Sequence, residues 1–168
     1  RCTFTYTLNG EKVTVPFSAK ANREYHEKAL GVTNYKSFEK PVLNKKFTKH
    51  GEWYYTALAN WCCQGSIPVV VRTKDGIHYE EVFSCPEFKY GASEIEIAIH
   101  NDRLYLIART ARPENKLRAG TFLGVYSLTG ECLRKPYFIG GVESRPEMIV
   151  FKDKVYAMYN VKPNTINY

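Results

Sequence analysis

Ser93-Glu94-Ile95-Glu96-Ile97-Ala98-Ile99-His100-Asn101-Asp102-Arg103-Leu104-Tyr105-Leu106-Ile107-Ala108-Arg109 reads as two strands of period-two polarity around a two-residue turn. The same pattern returns 51 residues later, in Ser144-Arg145-Pro146-Glu147-Met148-Ile149-Val150-Phe151-Lys152-Asp153-Lys154-Val155-Tyr156-Ala157-Met158-Tyr159-Asn160. The shift lays Glu94 on Arg145, Asp102 on Asp153, Tyr105 on Tyr156 and Arg109 on Asn160. A strand-built repeat of this length marks a radial or stacked β architecture.

Working outward, Phe4 to Leu8 and Lys12 to Phe17 form two strands around Asn9-Gly10, a strong hairpin signal. Residues 19 to 30 are the one good helical stretch, with Gly31 placed to end it. Strands resume at Val42 to Lys49, turn at His50-Gly51, and continue as Trp53 to Leu58, Ile67 to Arg72 and Ile77 to Phe83. After the 94 to 109 hairpin come Thr121 to Ser127 and Glu131 to Phe138. Residues 110 to 120 form a polar loop, with Arg109, Arg112, Lys116 and Arg118 in or beside it, either a solvated connection or a lid.

Three turns match one another: Thr7-Leu8-Asn9-Gly10, Thr73-Lys74-Asp75-Gly76 and Ser127-Leu128-Thr129-Gly130. Each places a hydroxyl and a turn former ahead of a Gly that supplies positive φ. The order predicts an all-β propeller of four-stranded blades: an outer pair, two complete four-stranded units, then an inner pair. Twelve strands amount to three blades, whereas a propeller closes with about four or more. Residues 1 to 168 are therefore read as one propeller domain or part of one. The remaining blades would come from the parent chain or a second subunit.

A chain of 168 residues can bury a real core, and 44 % apolar content argues against disorder. The net charge of +7 favours acidic partners, but the 24 Lys and Arg form no run. By charge alone such a partner is a nucleic acid, an anionic membrane or an anionic sugar; the partner expected is a sialylated or other anionic glycan, with no nucleic acid and no cofactor. No stretch approaches the ~20 apolar residues of a membrane span. Starting at Arg1, the chain reads as processed, trimmed or a fragment. The five cysteines, Cys2, Cys62, Cys63, Cys85 and Cys132, have no CxxC or Cys/His metal spacing. The adjacent Cys62-Cys63 reads as two small residues at a strand end.

The turns at Thr73-Lys74-Asp75-Gly76-Ile77-His78-Tyr79 and Ser127-Leu128-Thr129-Gly130 resemble the Asp boxes of sialidase-type propellers. The Glu94-to-Arg109 hairpin resembles the sialidase segment in which a Glu opens one strand and an Arg closes the next. Ser144-Arg145-Pro146 resembles the later segment that carries another Arg. The resemblance covers about residues 53 to 160. It implies an extracytoplasmic sialidase (secreted, periplasmic or cell-surface) with Glu94 activating a tyrosine nucleophile, Tyr156 or Tyr159. Arg109 and Arg145 would be two of three arginines gripping the substrate carboxylate. Residues 1 to 50 supply neither a first arginine nor an acid Asp, so missing blades would have to provide them.

Independently of the resemblance, a two-residue loop at Asn101-Asp102 would put Glu94 directly opposite Arg109 and Arg145 opposite Asn160. Ile95, Ile97 and Ile99 would share one face with Leu104, Leu106 and Ala108, leaving the charged groups of two neighbouring units at one end. The competing reading is a scaffold: a Glu across from an Arg is a common cross-strand ion pair. Glu96 and Glu147, which recur at equal register, read as structural, and Tyr54, Tyr55, Tyr105 and Tyr156 as packing between units. His26, His50, His78 and His100 share no evident partner, so no dyad is expected. Two rivals to the sialidase are a non-catalytic propeller that binds glycans or proteins, and a five-bladed glycosidase acting on neutral sugars. The latter would need converging carboxylates and no arginine cluster.

Overall fold

The computed structural model describes residues 2–8, 10–17, 41–43, 46–60, 67–88, 92–110, 120–140 and 145–159. Among these there are thirteen strands and no helix, and every pairing is antiparallel. The helix expected at 19 to 30, most of the basic loop after Thr110 and the Cys62-Cys63 pair lie outside the described residues.

Strands β1 (Cys2–Leu8) and β2 (Glu11–Phe17) form a hairpin in which Leu8 is registered with Glu11. The next sheet holds β3 (Pro41–Leu43), β4 (Thr48–His50), β5 (Trp53–Asn60), β6 (Val69–Thr73) and β7 (Tyr79–Ser84). The single strand expected from Val42 to Lys49 is two strands, both paired with β5. Lys46 leaves the ladder between them: its carbonyl accepts the Thr56 hydroxyl at 3.0 Å, while its ammonium donates to the Met148 carbonyl. A four-stranded meander follows, β8 (Ser93–His100), β9 (Arg103–Thr110), β10 (Gly120–Ser127) and β11 (Cys132–Gly140). The chain then forms the hairpin of β12 (Glu147–Phe151) and β13 (Lys154–Met158).

The repeated turns are of the type their sequences require. Asn101 and Asp102 take φ of 48° and 56°, and Lys152 and Asp153 take 45° and 61°. Positive φ at both central residues matches the right-handed twist of the flanking strands. Alternation then sorts the side chains. Ile97 pairs with Leu106 and Ile99 with Leu104, and this face packs against Tyr55, Ala57 and Val70 of the preceding sheet. The other face, Ala98 and Ile107 with Tyr105, packs against Met148, Val155 and Ala157 of the last hairpin. β8 therefore lies between the hairpins β4–β5 and β12–β13 and packs on both. Each fully buried aliphatic side chain in these layers contributes roughly 1.5–3 kcal/mol, so the stacking has ample driving force.

Candidate functional site

The charged groups gather where β8 begins. The expected register slips by one residue there. Ser93, not Glu94, is registered with Arg109, and Ile95 with Ala108, so Glu94 is the extra residue of a β-bulge. Its φ of 50° re-aims the side chain, and Arg109 Nη1 donates to Glu94 Oε2 at 2.8 Å. Both side chains are partly buried. The pair thus forms through the bulge rather than by direct cross-strand opposition.

Arg145 precedes β12 instead of lying in it, ahead of the registered pairs of that hairpin, and Asn160 lies outside the described residues. Its guanidinium approaches the buried Glu96, Nη2 to Oε1 at 3.7 Å. Lys46 Nζ stands 3.8 Å from Glu96 Oε2. Lys46 comes from the β3–β4 connection, Glu96 from β8 and Arg145 from the lead-in to β12, so the carboxylate joins three successive units. A buried carboxylate needs such partners, because desolvating a lone charge costs several kcal/mol. Glu147, equivalent to Glu96 in the repeat, is exposed.

Neither tyrosine is set beside a base by the bonds observed. Tyr159 donates its hydroxyl to the Ile139 carbonyl at 2.8 Å and its ring lies against Gly140. Tyr156 is exposed on the outer face of the last hairpin. Tyr126 is fully buried and donates to Glu87 Oε2 at 3.2 Å; burial, then the neighbouring Cys85 and Glu87, push its phenol far up. Burial likewise raises the Cys85 thiol well above its usual range, so it is held protonated and unreactive. Among the described residues no group of three His, Cys, Asp or Glu side chains could hold a metal, and no helix is long and apolar enough to cross a membrane.

The two described hydroxyl-containing turns share a bonding scheme. Asp75 Oδ1 accepts from the Thr73 hydroxyl (3.1 Å) and from the amides of Ile77 (2.9 Å) and His78 (2.8 Å). The Gly76 amide donates to Thr73 Oγ1 at 2.9 Å. In the second turn the Glu131 amide donates to Ser127 Oγ at 2.9 Å. Each hydroxyl thus closes its turn onto a downstream amide.

The histidines have partners that their isolated positions conceal. His50 Nε2 stands 3.4 Å from Asp102 Oδ1, and His100 Nε2 stands 3.4 Å from Asp153 Oδ1. Both histidines immediately precede a two-residue turn, since His50 is registered with Trp53 and His100 with Arg103. Each reaches an Asp in the turn of the following hairpin. The signal was present in the sequence: hairpin β4–β5 is a third copy of the repeat, with Tyr55, Tyr105 and Tyr156 in equivalent places.

No protein-family model, curated protein or solved structure matches this chain.

Proposed function

We propose that this chain is a recognition module of β-propeller type, binding an acidic glycan, rather than a glycosidase sufficient in itself. The propeller reading is supported by three antiparallel hairpins recurring at about 50-residue spacing with their faces stacked. The observation that carries the functional reading is that each candidate arginine is engaged by a carboxylate of the chain itself: Arg109 by Glu94 and Arg145 by Glu96. An arginine so engaged has less left to grip a substrate carboxylate. Glu94, tied to Arg109, is correspondingly a poorer base for a tyrosine. The net charge of +7 still favours acidic ligands.

The second reading is a sialidase-type hydrolase whose other catalytic groups lie elsewhere in the assembly. The hydroxyl–Asp–Gly turn at Thr73 to Gly76, which bonds as an Asp box would, favours it. A fluorogenic sialoside and a glycan array separate the two. The module should bind sialylated over neutral glycans with an affinity that falls as salt rises, and should release no fluorophore. Turnover that disappears in Glu94→Gln would establish the hydrolase, and failure to bind any acidic glycan would remove the recognition reading.

A further inference from the structure

We propose that the exposed face of the β12–β13 hairpin is a self-association surface, on which the same face of a second copy of this chain packs antiparallel. Equivalent positions of the three hairpins tell different stories. Tyr55 is 3 % exposed and Tyr105 is partly buried, each facing the next hairpin, whereas Tyr156 is 44 % exposed. Ala57 and Ile107 are fully buried, but Met158 is 46 % exposed. Ile149 and Phe151 complete this outer face, Ile149 registered with Tyr156. The opposite face of the same hairpin, through Met148, is already buried on β8–β9. The open face therefore continues an interface that the first two hairpins both fill.

Its chemistry points to a like face rather than to another step of the stack. At the first two junctions a histidine reaches an Asp in the next turn; the third hairpin has Phe151 in the position of His50 and His100. The far side of the first hairpin's sheet is already covered at Thr56, Val71 and Thr73, which are buried, and among these neighbours only Tyr54 stands open, so it offers little for head-to-tail stacking. The charges favour antiparallel pairing. Glu147 is exposed at the open end, and Lys152 and Lys154 are exposed at the turn end, Lys152 Nζ resting 5.3 Å over the Phe151 ring. A second copy laid antiparallel brings each Glu147 level with the basic turn of its mate. Four such side chains offer roughly 400 Å2 per copy, about half of a standard interface, so the dimer is weak and isologous.

Sedimentation velocity of the purified chain, from low- to high-micromolar concentration, tests this. A reversible monomer–dimer equilibrium is expected, weakened tenfold or more in Phe151→Lys/Tyr156→Lys and unchanged in Leu133→Lys, another exposed apolar position. Phe151→Ser/Tyr156→Ser gives the same outcome should the lysine pair impair folding, with circular dichroism as the check. Glu147→Lys should weaken the dimer several-fold, and adding Lys152→Glu and Lys154→Glu should restore it. A chain monomeric throughout, a dimer indifferent to the Phe151 and Tyr156 variants, or open-ended growth into larger species each overturns the proposal.

Discussion

Glu94 and Arg109 are joined by a 2.8 Å bond although the ladder registers Arg109 with Ser93. The bond depends on Glu94 occupying the left-handed region, which costs a non-glycine residue ~1–2 kcal/mol. Glu94→Ala keeps that cost and loses the pair, and should destabilise by about 1–2 kcal/mol in urea denaturation. Glu94→Gly loses the pair but relieves the backbone, and should come out about 1 kcal/mol more stable than Glu94→Ala. Equal losses would show that the bulge carries no strain.

The buried Glu96 makes its neighbours interdependent. Arg145→Met alone should cost about 1 kcal/mol, since Lys46 remains and Arg145 is half exposed. Lys46→Met/Arg145→Met strips both cations and should cost about 3–5 kcal/mol, more than the two single changes summed. A double-mutant cycle by chemical denaturation reads the coupling directly.

Asp75 and His78 give the turn after β6 a defined pH window. The 2.6 Å bond from His78, then the amides of His78 and Ile77 and the Thr73 hydroxyl, hold the Asp75 carboxyl well below the usual range. His78 is raised, first by the bond to Asp75, then by the Asp75 charge and that of Glu11. A lowered carboxyl stabilises above its unfolded pKa, ~3.9, and that contribution fades as pH falls through the lower folded value. A raised imidazole contributes fully below ~6.5 and fades as pH rises through its folded value. The turn should thus be tightest between about pH 4 and 6.5. NMR titration should show His78 shifted up in the native chain and returned toward its ordinary value in Asp75→Asn.

Gly130 couples the turn after β10 to the preceding sheet. Its φ is +97°, and an added Cβ would stand 2.6 Å from Phe83 Cβ and 2.7 Å from Cγ. Gly130→Ala should lower stability by about 2 kcal/mol or more. Gly130→Ala/Phe83→Ala should recover the steric part while losing the ring's packing, leaving a residual deficit in thermal melts.

The parts legible in the sequence are those set by local chemistry. Asn101-Asp102 specifies a two-residue turn, and the turn in turn fixes which isoleucines face Leu104 and Leu106. The bulge at Glu94 carried no such mark, because a glycine would usually announce positive φ and a glutamate does not. Lys46 was invisible for a different reason. Its departure from the ladder is dictated by Glu96 and the Met148 carbonyl, far away in the chain. The contacts of His50 with Asp102 and of His100 with Asp153 lie between these cases. They follow from the repeat once the β4–β5 hairpin is counted in it, and the likeness of the last two hairpins alone does not reveal them.

Lys46 bonds to a carbonyl 102 residues further along the chain and stands 3.8 Å from the buried carboxylate of the strand between. Such a closure becomes possible only after three hairpins have formed and stacked, since the entropy of joining distant segments must be met first. It is therefore a late event in kinetic terms. Lys46→Met should hasten unfolding by nearly the whole of its destabilisation and leave the folding rate within about twofold, as for a contact absent from the transition state. The side chain that ties the three units together then acts as a clasp on the finished structure, setting how long it persists rather than how it is reached.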